Sequence, residues 1–534
     1  MKTFLSLKSL LIISLLGFSL NLYSQDGTID ASFGTDGWLF TSIEEGKNAA
    51  GSDVAVQPDG KIVVVGTHKP ESYTKYFVAT RYNQDGTIDA TFGNNGITLI
   101  SIGITSFTAT AKCVEILDDG KIIIAGYTIG TDSDDFALTR LNSDGIIDST
   151  FGIDGRVITP FDDQQDYLAA IAIQSDGKII AVGNELGGNA STHDGLVARY
   201  LPDGELDSSF GNNGIVRQDG YGGIDAFYDV TIQNDGKIIA LGYTSNTNPY
   251  GKESFLVRYN VNGSLDTSFG GTGIVTGRVP FPDSSIKPII GYNVAIQDDG
   301  KILIAGDSYP KLAILRYNSD GTLDATFGTN GVVITSTIDS LNQALPQNIL
   351  VQENGQFIVT IYSFVNGVGA GTAIRYNNDG SIDNTFGENG YALANIENEW
   401  FPANNSTMQQ DGKILIVGVN GFNIALVRIN NTGTPVTDVE HEGNTIVNEF
   451  ELLQNYPNPF NPSTVISFHL SIRGNYKLDI YNMLGQKIKT LIDGEFSSGL
   501  HEINFNSNGF SSGTYFYSLR GENVHITKKM LLIK

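Results

Sequence analysis

Between residues 53 and 101 the chain alternates short apolar runs with polar breaks. DVAVQ (53–57) is followed by KIVVVGT (61–67), YFVATRY (76–82) and ITLIS (97–101). Each run is rich in Val, Ile, Tyr and Thr and is bounded by Gly, Asp or Asn, which is the chemistry of β-strands. The Asp59-Gly60 break predicts a tight hairpin between the first two runs, because glycine accepts φ > 0. The stretch DGTIDATFGNNG (85–96) joins the third run to the fourth.

This pattern recurs along the chain. Near-copies of residues 85–96 begin at Asp26, Asp144, Asp203, Asn262, Asp320 and Asp379, and neighbouring copies lie 58 or 59 residues apart. Every period also carries the hairpin turn and an arginine closing the third run, from Arg81 to Arg428. Four short strands in each period of a regular repeat is the layout of a β-propeller blade. Sets of the first three strands begin near Asp53, Lys112, Ala169, Phe227, Tyr292, Gln347 and Asn404, which makes seven. The last set ends at Arg428-Ile429 without a fourth strand, whereas WLFTSI (38–43) reads as a fourth strand with no blade before it. Residues 38–43 are therefore expected to pair with the seventh blade, closing the ring and removing its open edges. The fold class read from this pattern is all-β. It is a seven-bladed β-propeller of ~59-residue repeats, closed by an N-terminal strand and followed by a small C-terminal β-sandwich.

The twelve-residue motif reads as the joint of a scaffold. Its hydrophobic fourth position (Ile29, Ile88, Ile147) is expected to point inward, and its Asp, such as Asp89, to cap a short turn. Its Phe, such as Phe33 or Phe92, is expected to anchor the joint between blades, and Arg81 to bond Asp89. Calcium at these Asp residues is the alternative reading. Their spacing departs from the EF-hand, which places oxygen ligands at alternate positions and ends on Glu. No other cofactor is implied.

Strand alternation puts the motifs and hairpin turns on one face and the variable loops on the other. Variable loops on a rigid scaffold are where binding resides. They carry aromatics, amides and acids, and the candidate ligand-binding residues are Phe161, Asp163, Tyr167, His193, Tyr221, Tyr228, Tyr250 and Trp400. That mixture suits carbohydrate or peptide ligands, although ordinary loop composition reads the same way.

The repeat closely resembles the delta-60 repeat family of bacterial secreted proteins over residues 26–433, and its strand order resembles that of NHL-type propellers. The resemblance implies a fold and little function. After a linker at 434–450, residues 451–534 closely resemble a type IX secretion sorting domain of type A, as found in Bacteroidetes and related Gram-negative bacteria. The marks are Pro457, Asn458, Pro459 and Phe460 in YPNPF, the YNMLGQKI strand pair, Gly513 and Tyr515 in GTY, and a basic end with Lys528, Lys529 and Lys534. This implies export through the type IX machinery, removal of the tail, and release or attachment at the outer cell surface.

Composition narrows the function classes. Lys2 and Lys8 precede an apolar run at 10–16, so residues 1–25 read as a secretory signal peptide. The run is too short for a convincing membrane span, and no later stretch is apolar for long enough. Net charge is −25, and the acid excess lies in the repeats, since residues 451–534 hold 8 Lys+Arg against 6 Asp+Glu. A body this acidic argues against nucleic acid and anionic membranes as partners. The lone Cys113 excludes an intramolecular disulfide framework and any cysteine-cluster metal site. No nucleophile elbow, zinc-protease motif or phosphate loop is present, so no catalytic residue is assigned. The expected function is an extracellular module, a monomer that binds carbohydrate or protein. The alternatives are a glycan-active enzyme using paired carboxylates in the funnel and an architectural surface protein.

Overall fold

The computed structural model describes residues 25–433 and 451–533. Within these it omits 72–73, 103–108, 130–133, 162–164, 187–192, 221–222, 246–251, 281–285, 309–310, 336–343, 366–367, 397–398, 453–454, 456–457, 459, 471–473, 484–485, 497–498, 508 and 522–524. The expected signal peptide, apart from Gln25, and the linker at 434–450 lie outside the described residues. The chain divides into two units, residues 1–441 and 442–534. Among the described residues every regular element is a β-strand, and no helix is long and apolar enough to cross a membrane.

In the larger unit, strands Asn48–Val56, Ile62–Glu71, Thr74–Tyr82 and Ile97–Ile100 pair in sequence order, each antiparallel to the next. Among the described residues, the strands from Trp38 to Ile429 group into seven such four-stranded units. A parallel bridge between His193 and Ile224 links two of them, and a hairpin of Arg278–Pro280 with Ile286–Pro288 precedes the unit that begins at Ile290. The first strand of each unit packs against the first strand of the next, and Asn48–Val56 packs against Ala403–Met408. Closure is direct: Trp38–Thr41 pairs with Asn423–Ile429, Trp38 opposite Val427 and Thr41 opposite Ile424. One core cluster accordingly joins Phe33 and Val54 to Leu415 and Val417.

The inner strands run longer than the sequence pattern suggests. The first spans 48–56 rather than 53–57, with a register shift between Gly51 and Asp53. One extra residue on a strand reverses the phase of its side chains, so the first half of the strand does not alternate in step with the second. The shift recurs at the same place in every unit and makes Ser52, Lys112, Ala169, Tyr228, Tyr292, Gln347 and Asn404 the extra residues. The following residue ties neighbouring inner strands together. Asp53 accepts the Val54 N–H and the Val114 N–H, both at 2.8 Å. Asn348 Nδ2 donates to the Ser406 carbonyl at 2.7 Å and Asn293 Nδ2 to the Gln347 carbonyl at 2.9 Å, while in the last unit the extra residue itself, Asn404, donates to the Gly51 carbonyl at 2.7 Å.

The motif is an inter-unit joint. Asp89 Oδ1 accepts the Thr91 N–H at 3.1 Å and its hydroxyl at 2.7 Å, which holds a tight turn. Its Oδ2 takes Arg81 Nε at 2.8 Å and Lys61 Nζ at 3.0 Å. The same arginine lies over the Phe92 ring at 4.7 Å and donates to the Ser143 carbonyl, just ahead of the next motif. Phe92 is fully buried, worth roughly 1.5–3 kcal/mol for such a side chain. Motif follows motif through the Gly93 N–H to the Asp144 carbonyl at 2.8 Å, and the last returns to the first through Gly387 and Asp26 at 2.9 Å. The hydrophobic fourth position packs inward in six motifs, where Ile29, Ile147, Leu206, Leu265, Leu323 and Ile382 are partly buried against core clusters, and Ile88 alone departs from the expectation. Ile88 is 43% exposed and folds over Gly96, leaving no room for a side chain there.

The smaller unit has a three-stranded sheet (Glu451–Leu452, Ser463–Leu470, Gly499–Asn506) and a four-stranded sheet built from Gly474–Tyr481, Lys487–Phe496, Gly513–Arg520 and His525–Leu532. Ile466, Phe468, Leu478, Ile480, Tyr517 and Met530 share its core.

Candidate functional site

In the larger unit, the inner strands line a central cavity of about 620 Å³, with Lys112, Ala169 and Tyr228 among its lining residues. The register shift is what aims these side chains, since it re-phases the strand beside them. Asp53 and Asp229 also line this space. Burial raises the Asp53 carboxyl to about 7, against the pull of the Val114 and Val54 N–H groups. Asp229 is placed as Asp53 is, taking the Val230 N–H and the Val294 N–H at 2.8 Å each.

Three aromatic groups form near the variable loops. Tyr167 meets Tyr127 edge-on at 5.0 Å, and the Lys112 ammonium lies 5.9 Å from the Tyr127 ring. Tyr228 stacks on Tyr292 at 5.4 Å and leans on Tyr243, also at 5.4 Å. The Lys252 ammonium sits 3.9 Å over Tyr243. Burial, with the Asp307 carboxylate next, pushes the Tyr292 phenol up to about 12. In the third group Trp400 is half-exposed, meeting Phe364 at 5.5 Å and Tyr362 at 6.3 Å. Asn420 Nδ2 donates to Glu399 Oε2 at 2.9 Å and to the Trp400 carbonyl at 3.2 Å, which ties an amide and a carboxylate to the Trp400 backbone.

The residues singled out from the sequence fall unevenly. Tyr167, Tyr228 and Trp400 enter three separate groups. Phe161 is 2% exposed and packs edge-on against Phe136 at 5.2 Å, its N–H held by Asp166 at 3.1 Å, so its ring belongs to the core. His193 is half-buried at the start of its strand, its N–H on the Gly223 carbonyl at 3.3 Å. Burial, then Lys252, lowers the imidazole pKa. Asp163, Tyr221 and Tyr250 lie outside the described residues. The partners Tyr127, Tyr243, Tyr292, Tyr362 and Phe364 escaped the reading because they sit on strands. Tyr127, Tyr243 and Tyr362 each occupy the sixth residue of a second strand, a periodic position that would have found them.

In the tail, Phe460 is buried, its N–H on the Leu531 carbonyl at 3.0 Å. The Leu531 N–H reaches Asn458 Oδ1 at 2.8 Å. Gly513 opens the strand that carries Tyr515, whose hydroxyl donates to the Ser511 carbonyl at 2.8 Å. Lys528 and Lys529 stand in the last strand, opposite Tyr517 and Phe516. Pro457, Pro459 and Lys534 lie outside the described residues.

The family described as "domain of unknown function (DUF5122) beta-propeller" matches residues 57–92, 117–151, 174–210, 233–269, 297–327 and 352–386. The secretion system C-terminal sorting domain matches 454–534. No curated protein matches the sequence. Among solved structures, the chain is similar to PorZ, a surface component of the type IX secretion system of Porphyromonas gingivalis. Identity there is 12% and the TM-score 0.37, over 89% of this chain and 58% of that one. This chain therefore spans less than two thirds of PorZ. A protein from Lactobacillus plantarum is similar at 12% identity and TM-score 0.38, over 64% of this chain and 87% of that one. A Bombyx mori GH32 β-fructofuranosidase is similar at 12% identity and TM-score 0.30, over 76% and 95%. The chain is thus built of DUF5122 β-propeller repeats and ends in a type IX secretion sorting domain, the mark of proteins that are secreted or anchored at the cell surface.

Proposed function

We propose that this secreted or surface propeller is an extracellular carbohydrate-binding module, and that Trp400, Phe364 and Tyr362 form its platform. The observation that carries this reading is the half-exposed Trp400 indole, braced by two further rings, with the Asn420–Glu399 pair held on the Trp400 backbone. A flat apolar face stacks on the C–H face of a sugar ring, while an amide and a carboxylate take its hydroxyls. Binding is favoured over hydrolysis by the state of two of the cavity carboxylates. Asp53 and Asp229 each have both oxygens bonded to backbone N–H groups, which suits ties between strands.

The test is retention of the purified chain on immobilised plant and bacterial polysaccharides, alongside Trp400→Ala and an assay for released reducing sugar. The reading expects retention without sugar release, lost in Trp400→Ala at unchanged melting temperature. Equal retention of the variant would refute the platform, and sugar release would point to the enzyme alternative.

A further inference from the structure

A second constellation lies where the unit that begins at Gln165 meets the unit that begins at Ile224. Asp194 is the second residue of strand His193–Tyr200, Asp219 follows strand Ile215–Gln218, and Asp225 is the second residue of Ile224–Ile232. The backbone brings them together. His193 pairs with Ile224, and the Gly220 N–H donates to Asp225 Oδ2 at 2.6 Å. One carboxylate oxygen from each of the three residues lies within 4.8 Å of the others. Oxygens sharing one calcium at about 2.3–2.6 Å each span that distance.

The interior side of this cluster is unanswered. Asp225 is fully buried, and its Oδ1 has no hydrogen-bond partner. Thr244, opposite Asp225 in the sheet, is also fully buried; its hydroxyl faces the Asp225 carboxylate and lowers its pKa, yet neither that hydroxyl nor Oδ1 reaches a partner in hydrogen-bond geometry. A buried carboxylate oxygen left without a partner is costly. The nearby cations have other partners: Arg217 Nε is 2.6 Å from Glu185 Oε2, though its charge also lowers the Asp194 pKa, and Lys252 covers Tyr243. Burial raises the pKa of both Asp194 and Asp225; at Asp225 the Gly220 N–H and the Thr244 hydroxyl pull it back, and the Asp219 carboxylate pushes both up. One repeat earlier Asp135 and Asp166 occupy the places of Asp194 and Asp225, but Pro160 stands where Asp219 does, so the third acid is particular to this junction.

We infer that Asp194, Asp219 and Asp225 form a calcium site joining two neighbouring propeller units at the variable face. Three carboxylates and no soft ligand select a hard divalent cation, and the wide spacing favours calcium over the smaller magnesium. The ion would meet the orphaned Asp225 oxygen and tie Asp219 to the strands that carry Asp194 and Asp225. This site is independent of the Trp400 platform.

The test is calorimetric titration of the chelator-treated full chain with calcium chloride, with melting followed in parallel. The expected result is a single site with a dissociation constant of about 10⁻⁴–10⁻³ M, the range of extracellular modules, and a melting temperature that climbs with calcium. Asp219→Asn changes an exposed side chain and is expected to fold like the parent in chelator, yet lose the titration and the climb. Asp194→Asn repeats the test from the other unit. Absence of heat and of any melting shift up to about 10 mM calcium would overturn the site, as would responses that survive in both variants.

Discussion

The Phe92 ring occupies the space that a side chain on Gly145 would need: a Cβ there would lie 2.6 Å from the ring. Gly145 also holds φ +84°, a left-handed value. Phe92 belongs to one motif and Gly145 to the next, so each copy fills a gap in its neighbour. Gly145→Ala is therefore expected to destabilise the propeller by about 2 kcal/mol or more, from backbone strain and overpacking together. Denaturant melts at neutral pH read this directly, and a change below about 0.5 kcal/mol, the range of neutral surface substitutions, would count against the interlock.

Stability is expected to fall on both sides of about pH 4–5, through groups of opposite sign. Burial raises the motif carboxyl Asp30, but the Ser32 hydroxyl, Lys413, the Ser32 N–H and Arg428 outweigh it and hold Asp30 at about 2. Asp266 is held at about 2 in the same way by Ser268, Arg258 and Lys237. A depressed carboxyl contributes stability above its unfolded value of 3.8, lost as pH falls toward 2. Asp53 acts the other way. Raised to about 7, it contributes below 3.8 and loses that contribution as pH climbs toward 7. Asn293, Asn348 and Asn405 fill the place of Asp53 in three other units. Asp53→Asn is thus expected to flatten the slope between about pH 4 and 7 and leave the acid limb unchanged. Melting temperatures across pH 2–8 (roughly the span of these shifts) check both halves.

Ring closure makes the N-terminal segment a structural part of the last unit. Deleting residues 26–43 would remove Trp38–Thr41 from its partner Asn423–Ile429 and take away Asp30, which Arg428 Nε bonds at 2.8 Å. The exposed strand edge is expected to lower the melting temperature and promote association. Light scattering and calorimetry of the truncated chain would show this, and a truncated chain that melts and behaves like the parent would contradict it.

The ring was legible before any coordinates because the period is strict and the orphan half-unit at each end names its partner. The Arg81–Asp89 pair was legible for the same reason, as two polar residues fixed in a repeat. The binding face was less so. Trp400 stands out in a polar loop, but Tyr362 and Tyr243 sit in apolar strands where an aromatic reads as core. What distinguishes them is the register shift in the strand alongside, and the run Asn48-Ala49-Ala50-Gly51 gives little sign of that irregularity. Phe161 erred in the opposite direction: its polar neighbours suggest a surface loop, but Asp166 holds its backbone and turns the ring into the core.

The most direct measurement of the account uses the protein's two tryptophans. Trp38 is 8% exposed and Trp400 is 50% exposed, so in a Trp38→Phe variant the emission reports Trp400 alone. Acrylamide quenching of that variant would be followed with and without a saturating polysaccharide chosen by retention. The account predicts efficient quenching in the free protein and strong protection in the complex, as a sugar covers the indole. A polysaccharide that binds while Trp400 stays equally quenchable would place recognition elsewhere and contradict the platform.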